Sequence, residues 1–155
     1  MRIVSPPERL TPYFLTQEFT ATDTGLDNSI PDLETWCSIR ALCSAILVPW
    51  RERVGSLHVS SGYRSDPVNR AIRGSSTSDH LVGRAADIIP IRARALVWPV
   101  LVDMVHAGLP VDQAIVYLDG RPHMHVSHRQ GSLNRRQVLA FDGARYVGWQ
   151  SRMGA

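Results

Sequence analysis

The sequence predicts an α+β fold in which a mainly antiparallel sheet is packed by helices. Three observations favour this class: one long amphipathic stripe, several short strand-like runs, and the turn signals Asp119-Gly120 and Asp142-Gly143 between the later runs. The elements follow the order helix, strands, helix and hairpins, which is typical of α+β rather than of alternating α/β folds. With 155 residues, the chain is expected to form one domain over 1–155.

Little regular structure is expected before the first long helix. Residues 1–14 are predicted to form an irregular arm, followed by a short helical turn over Thr16–Phe19. Pro31-Asp32 then opens the strongest helix, in which apolar residues recur at three- and four-residue spacing over 36–50. Pro49 is expected to kink this helix or to end it early.

The middle of the chain predicts two strands and two further helices. Leu57–Ser61 favours a strand, and Asp66 is expected to cap a short helix over 67–72 whose first residue is a proline. A second strand is predicted over 85–89 and a second long helix over 92–106. The segment between the short helix and the second strand is predicted to be a loop.

Two hairpins are predicted after the second long helix. Strands over 113–118 and 123–128 flank the first turn signal, and strands over 138–141 and 144–147 flank the second. Residues 129–155 are therefore expected to supply a C-terminal loop and hairpin.

Charge and hydropathy argue against several classes of protein. All 17 basic residues are arginines and the formal net charge is +3, but the arginines are scattered and form no run that would follow a nucleic-acid backbone. No apolar stretch approaches the roughly 18 residues that span a bilayer. We therefore expect no nucleic-acid partner and no stable membrane insertion; a nucleic-acid binder would instead show salt-sensitive affinity that chelators leave unchanged.

The N-terminus and the cysteines bear on where the chain is made. Residues 1–7 contain no apolar core of a secretory signal, so synthesis in the cytoplasm is expected. Cys37 and Cys43 are six residues apart within the first predicted helix, which places them roughly 9 Å apart along its axis. A disulfide between them is not expected.

His80, Asp87 and His125 are candidate metal ligands. Taken singly, each has an ordinary explanation, because histidines often only form hydrogen bonds and an aspartate can cap a turn. Asp87, however, lies between apolar residues on a predicted strand, where a buried carboxylate is costly unless it is paired. If that strand neighbours the strand over 123–128, the three side chains can converge, and imidazole nitrogen and carboxylate oxygen are both zinc ligands.

Four short motifs stand out: Ser61-Gly62-Tyr63-Arg64-Ser65, Asn69, Ser78-x-His80-x-x-Gly83-x-Ala85-x-Asp87, and His123-x-His125-Val126-Ser127. Together, over roughly residues 15–130, they resemble the zinc D-Ala-D-Ala carboxypeptidase family. They are most similar to its branch of phage and bacterial cell-wall DD-peptidases with a His-x-His motif. The resemblance implies a hedgehog/DD-peptidase-like fold and one Zn²⁺ per chain, bound by His80, Asp87 and His125.

The resemblance also implies roles for other side chains. Arg64 corresponds to an arginine that stabilises the substrate carbonyl or its oxyanion. Many relatives have a general-base Glu three residues before the last ligand, but Pro122 occupies that position, so His123 becomes the candidate for proton transfer. Alternatively, His123 is a fourth ligand or only orients water. Substrate binding is expected from Ser78, Gln113 and Tyr63.

The predicted function is that of a zinc metallopeptidase of carboxypeptidase or endopeptidase type. Its partner would be a stem peptide or cross-bridge of bacterial peptidoglycan, cut by a monomer. Without a signal peptide, the chain would reach the wall or periplasm as a phage endolysin after holin-type release, or inside a virion. The alternative is a non-catalytic zinc-containing module that binds peptidoglycan or protein.

Overall fold

The computed structural model describes residues 7–131 and 133–150, which form an α+β fold around a mixed six-stranded sheet. The order of the strands in the sheet is β1-β2-β4-β3-β5-β6. All neighbouring strands are antiparallel except β3 and β5, which are parallel. The strands are β1 Leu57–Ser61, β2 Ala85–Pro90, β3 Gln113–Tyr117, β4 Met124–Ser127, β5 Gln137–Phe141 and β6 Tyr146–Gly148.

In the described part of the chain, four α-helices and three other helical segments accompany the sheet. The α-helices are α1 Leu33–Leu42, α2 Val48–Val54, α3 Asp66–Ala71 and α4 Arg94–His106. A π-helical segment, Cys43–Leu47, joins α1 to α2, and 3₁₀ turns occupy Thr16–Phe19 and Asp79–Val82. The turn over Asp79–Val82 replaces part of the loop that the sequence predicts there.

The predicted helix after Pro31 forms, but Pro49 does not end it. Asp32 caps α1 by accepting a hydrogen bond from the Thr35 N–H at 2.8 Å, and helical structure continues to Val54. Proline lacks an N–H and its ring crowds the carbonyl four residues earlier. The wider π turn directly before Pro49 accommodates both constraints.

The cap of α3 differs from the prediction by one residue. Ser65, not Asp66, is the N-cap, since its side chain accepts a hydrogen bond from the Val68 N–H while Asp66 already belongs to the helix. Both predicted hairpins are confirmed, because β3 pairs with β4 and β5 with β6. Parts of the predicted N-terminal arm and C-terminal region, residues 1–6, 132 and 151–155, lie outside the described residues.

The two faces of the sheet have different environments. Side chains alternate between the faces of a strand, and one alternate set joins the helices in the apolar core: Ala86, Ile88, Ala114, Val116, Met124, Val126 and Ala140. The other set forms a row across four strands, because Asp87 is paired with His125, His125 with Ile115, and Ile115 with Leu139. None of the helices in the described part of the chain has the length and apolar character needed to cross a bilayer.

Candidate metal centre

A bulge in β1 precedes Arg64, whose guanidinium lies beside Asp87 of β2. The register with β2 shifts between Val59 and Ser61, so that Ser61 lies opposite Asp87. The Ser61 hydroxyl accepts a hydrogen bond from Arg64 Nε at 3.0 Å, and Arg64 Nη2 donates to Asp87 Oδ2 at 2.9 Å. The motif Ser61-Gly62-Tyr63-Arg64 therefore contributes a guanidinium that is fixed against the carboxylate.

His80 is positioned by the 3₁₀ turn that precedes β2. The Ser78 hydroxyl caps this turn by accepting the His80 N–H at 3.3 Å. Gly83 ends it with a φ of +75°, where a Cβ would also lie 2.8 Å from the Thr35 carbonyl oxygen. The His80 side chain is 3% exposed, and its Nδ1 donates to the Gly62 carbonyl at 2.6 Å. Because a carbonyl can only accept a hydrogen bond, Nδ1 carries the proton of the neutral ring. Nε2 is then unprotonated and presents its lone pair on the other side of the ring.

His80 and His125 both face one oxygen of Asp87. Nε2 of His80 lies 3.3 Å and Nδ1 of His125 lies 3.0 Å from Asp87 Oδ1. The ligand atoms of the three residues all lie within 4.8 Å of one another. A tetrahedral zinc ion with ligands at about 2.1 Å would separate them by roughly 3.4 Å, so this donor set fits such an ion.

The electrostatics of the cluster also suit a cation. Burial would raise the pKa of Asp87, but the neighbouring imidazoles and their hydrogen bonds hold that pKa well below its usual value. Burial lowers the pKa of His80, against the opposing effect of Asp87. The centre therefore combines an ionised carboxylate with a neutral imidazole, which are the protonation states that bind metal.

A cleft of about 820 Å³ opens over this cluster. It is lined by all three members of the cluster and by four other residues that the sequence predicts for the site: Arg64, Ser78, Gln113 and His123. Gln113 is the first residue of β3, and its Nε2 donates to Oε1 of Gln137 on the neighbouring β5 at 2.9 Å. The cleft thus combines seven of the predicted side chains on one face of the sheet.

Tyr63, which the sequence predicts to bind substrate, is not among the residues that line the large cleft. It is 6% exposed and lines a separate cavity of about 220 Å³. Its N–H donates to the Phe19 carbonyl at 2.7 Å, and its carbonyl accepts from Asn28 Nδ2 at 2.8 Å. These backbone contacts fix the turn that leads to Arg64.

His123 lies at the edge of the cluster, directly before β4. Its ring centroid is 4.8 Å from that of Tyr117, and its side chain is partly buried. Burial lowers its pKa, while the negative charge of Asp87 acts in the opposite direction. It does not belong to the group of three whose ligand atoms converge in the described part of the chain.

One wall of the cleft consists of residues that the sequence does not predict for the site. Five of its residues come from β3, the β3–β4 loop and the C-terminal hairpin: Tyr117, Arg121, Gln137, Leu139 and Tyr146. Tyr117 could have been found, since strand alternation places it on the face of Gln113. The parallel pairing of β3 with β5 has no local signal in the sequence, so the contribution of the hairpin could not be anticipated.

A family model described as Peptidase M15 matches residues 8–127. This range includes every residue predicted for the site and ends at the last residue of β4, so that β5 and β6 lie beyond it. A search of the curated proteins found no match.

Proposed function

The chain belongs to the peptidase M15 family, and from this premise we propose that it is a zinc metallopeptidase that hydrolyses peptide bonds of bacterial peptidoglycan. The convergence of His80, Asp87 and His125 at the floor of an open cleft is the observation that supports this most directly. Three protein ligands leave one position open, which is typical of catalytic rather than structural zinc. The proposal includes one Zn²⁺ per chain and a hedgehog/DD-peptidase fold.

His123 is proposed as the group that moves the proton. When bound, zinc supplies Lewis acidity that polarises a carbonyl and makes a neighbouring water more acidic. The His123 imidazole accepts a proton from the attacking water and donates it to the amine that leaves when the peptide bond breaks. Its lowered pKa keeps the ring neutral, and therefore able to accept, near neutral pH.

Arg64 has two proposed tasks. Nε and Nη2 are held by Ser61 and Asp87, which fix the plane of the guanidinium at the cleft wall. Its remaining donors can then stabilise the negative charge that develops on the scissile carbonyl oxygen. Through Nη2 the same side chain orients Asp87, as hydrogen-bonding partners of metal ligands commonly do.

The substrate proposal places the protein at the bacterial cell wall. A stem peptide or cross-bridge would lie in the cleft against Ser78 and Gln113, and the protein would act as a monomer. We assign it a role in lysis, as a phage endolysin, or in wall opening from a virion. Ser78 also caps the turn of His80, so its substitution is expected to affect the metal centre as well.

The test is digestion of purified bacterial walls by zinc-loaded protein. Mass spectrometry should detect new amino termini or released D-Ala, and EDTA should abolish them until zinc is restored. His80→Ala should be inactive, whereas His58→Ala, on the exposed side of β1, should retain activity and serves as the matched control. Wall binding without any new terminus would instead support a non-catalytic binding module.

A further inference from the structure

Arg121 is a fixed guanidinium of the cleft wall that the proposed reaction does not use. Its Cζ lies 4.2 Å from the Tyr117 ring centroid and 4.9 Å from that of Phe141. Nε and Nη2 both donate to Asp119 Oδ2, at 2.8 and 2.7 Å. The side chain is thus held by two rings and a carboxylate, yet it remains 44% exposed and lines the cleft.

One amino group of Arg121 is left for a ligand. Within 7–131 and 133–150, no protein atom accepts a hydrogen bond from Nη1. A planar guanidinium that is already oriented loses little freedom when it binds a further anion, and carboxylates match its donors well. Arg73 also lines the cleft, but it is exposed and we find no side-chain contact that holds it in the described part of the chain.

The charges of the cleft lining favour an anionic ligand. Arg64, Arg73 and Arg121 line it, and the single carboxylate of the lining residues is Asp87. Asp119 pairs with Arg121 from outside the lining, which leaves the charge of Arg73 in excess. Asp87 already faces two imidazoles and Arg64. The electrostatic potential in the part of the cleft away from the metal centre is therefore expected to be positive.

The position of Arg121 defines where such a group would bind. Arg64 lies on the β1 side of Asp87. Arg121 is stacked on the Tyr117 ring of β3 and the Phe141 ring of β5, two strands that lie beyond His125 in the order of the sheet. The Tyr117 ring connects it to the reaction site, since that ring also lies 4.8 Å from the His123 ring. A ligand group at Arg121 would therefore lie in the same cleft as the proposed reaction site.

We propose that Arg121 is a specificity-determining residue that binds a carboxylate of the substrate through Nη1. The inference rests on the proposed peptidase function and deepens it. Two carboxylates of a wall stem peptide have the required chemistry, namely the C-terminal carboxylate and the α-carboxylate of D-Glu. The aromatic platform comes partly from Phe141, which lies outside the matched family region.

The test compares three peptides with zinc-loaded protein. The first is acetyl-L-Ala-γ-D-Glu-L-Lys-D-Ala-D-Ala, the second is its C-terminal amide, and the third has the D-Glu α-carboxyl amidated. Amidation of the carboxylate that Arg121 binds should raise the wild-type KM roughly ten- to a hundredfold with little change in kcat. The amide with this effect identifies which carboxylate is bound.

Variants assign the effect to Arg121. Arg121→Gln should raise KM for the free peptide by the same factor and should no longer distinguish it from the critical amide. Arg121→Lys should lie between them, because it keeps the charge and loses the planar fork. Arg145→Gln, an exposed arginine in the turn between β5 and β6 that does not line the cleft, is the matched control and should behave as wild type.

The outcomes separate this inference from the proposed function. Equal KM values for all three peptides in active wild-type protein, or an unchanged KM in Arg121→Gln, would overturn the role of Arg121 alone. If neither the peptides nor purified walls are cleaved, the proposed peptidase function fails. Whenever the peptides are not cleaved, equilibrium binding of the three peptides tests the carboxylate site instead. Tighter wild-type binding of the free peptide than of one amide, lost in Arg121→Gln, would support the carboxylate site; equal binding would refute it.

Discussion

The β1–β2–β4 half of the sheet and the β3–β5–β6 half contribute to the same cleft in different ways. In the first half, polar groups are buried and depend on one another: Asp87 is 7% exposed and faces His80, His125 and Arg64. In the second half the wall is aromatic and open, with Tyr146 54% exposed. The difference suggests that substitutions in the first half remove metal binding and stability, whereas those in the second alter substrate choice.

The largest effect is expected from Asp87→Asn. This substitution removes the negative charge that two imidazoles and Arg64 contact, so zinc binding should be lost. The unfolding free energy should fall by about 3–5 kcal/mol, because the buried partners lose their counter-charge. Metal analysis and urea denaturation of the zinc-free protein measure the two effects. Asp103→Asn, on the exposed side of α4, is the control and should change neither. Normal zinc content in Asp87→Asn would contradict the proposed ligand set.

His123→Ala should affect the rate without affecting the metal. Loss of a proton-transfer group typically costs about 10²–10⁴-fold in kcat, and His123 lies outside the converging group of three ligands. Zinc content and turnover are measured on the same preparation, with His106→Ala, an exposed residue at the end of α4, as the control. Zinc loss together with the rate would instead identify His123 as a fourth ligand.

Substitutions at Gly62 and Gly148 allow a direct comparison of how well the two halves of the sheet tolerate an added methyl group. A Cβ on Gly62 would lie 2.6 Å from Phe19 Cα, and the Gly62 carbonyl orients His80, so Gly62→Ala should destabilise by roughly 1–3 kcal/mol and weaken zinc binding. A Cβ on Gly148, in β6, would meet nothing within 4 Å. Gly148→Ala is expected to unfold in urea as wild type does. Similar losses in both variants would remove the distinction between the halves.

The centre of the fold could be predicted because its signals are local. Strand alternation places Asp87 on a predicted face of β2 and puts His123 and His125 together on one face of the later predicted strand. The Asp119-Gly120 turn predicts the pairing of β3 with β4. Convergence of the three ligands requires β2 and β4 to be neighbours, and these two strands pair antiparallel. The family resemblance is confirmed by the match over residues 8–127.

What could not be predicted depends on contacts between distant segments. The parallel alignment of β3 with β5, and hence the place of Leu139 in the cleft, results from a crossover that no turn residue specifies. The contact of Arg64 with Asp87 requires the β1 bulge, which moves Ser61 rather than Ser60 opposite the carboxylate. Tyr63 is next to Arg64 in the sequence but lines the smaller cavity in the fold, and its role in substrate binding stays a prediction.

The second half of the sheet also contains a buried charge, Asp112, whose substitution is expected to affect stability. Asp112, directly before β3, is 1% exposed and accepts hydrogen bonds from the Arg135 N–H at 3.1 Å and from Arg135 Nη2 at 2.7 Å. Its carbonyl accepts the Gln137 N–H at 3.1 Å. The aspartate therefore joins the segment that leads into β5 to the start of β3.

This contact predicts a pH-dependent contribution to stability. Hydrogen bonds from Arg135 are the main cause that lowers the pKa of Asp112 from its ordinary value, so the folded state favours the ionised form. The stabilisation is then fully present above about pH 4, the unfolded pKa, and is lost as pH falls through the lower folded pKa.

Asp112→Asn should reduce the unfolding free energy by about 1–2 kcal/mol at pH 7, and the deficit should shrink toward pH 3. Urea denaturation of zinc-free protein across this range measures it, and a deficit that stays constant with pH would show that the charge of Asp112 does not hold β5 to β3.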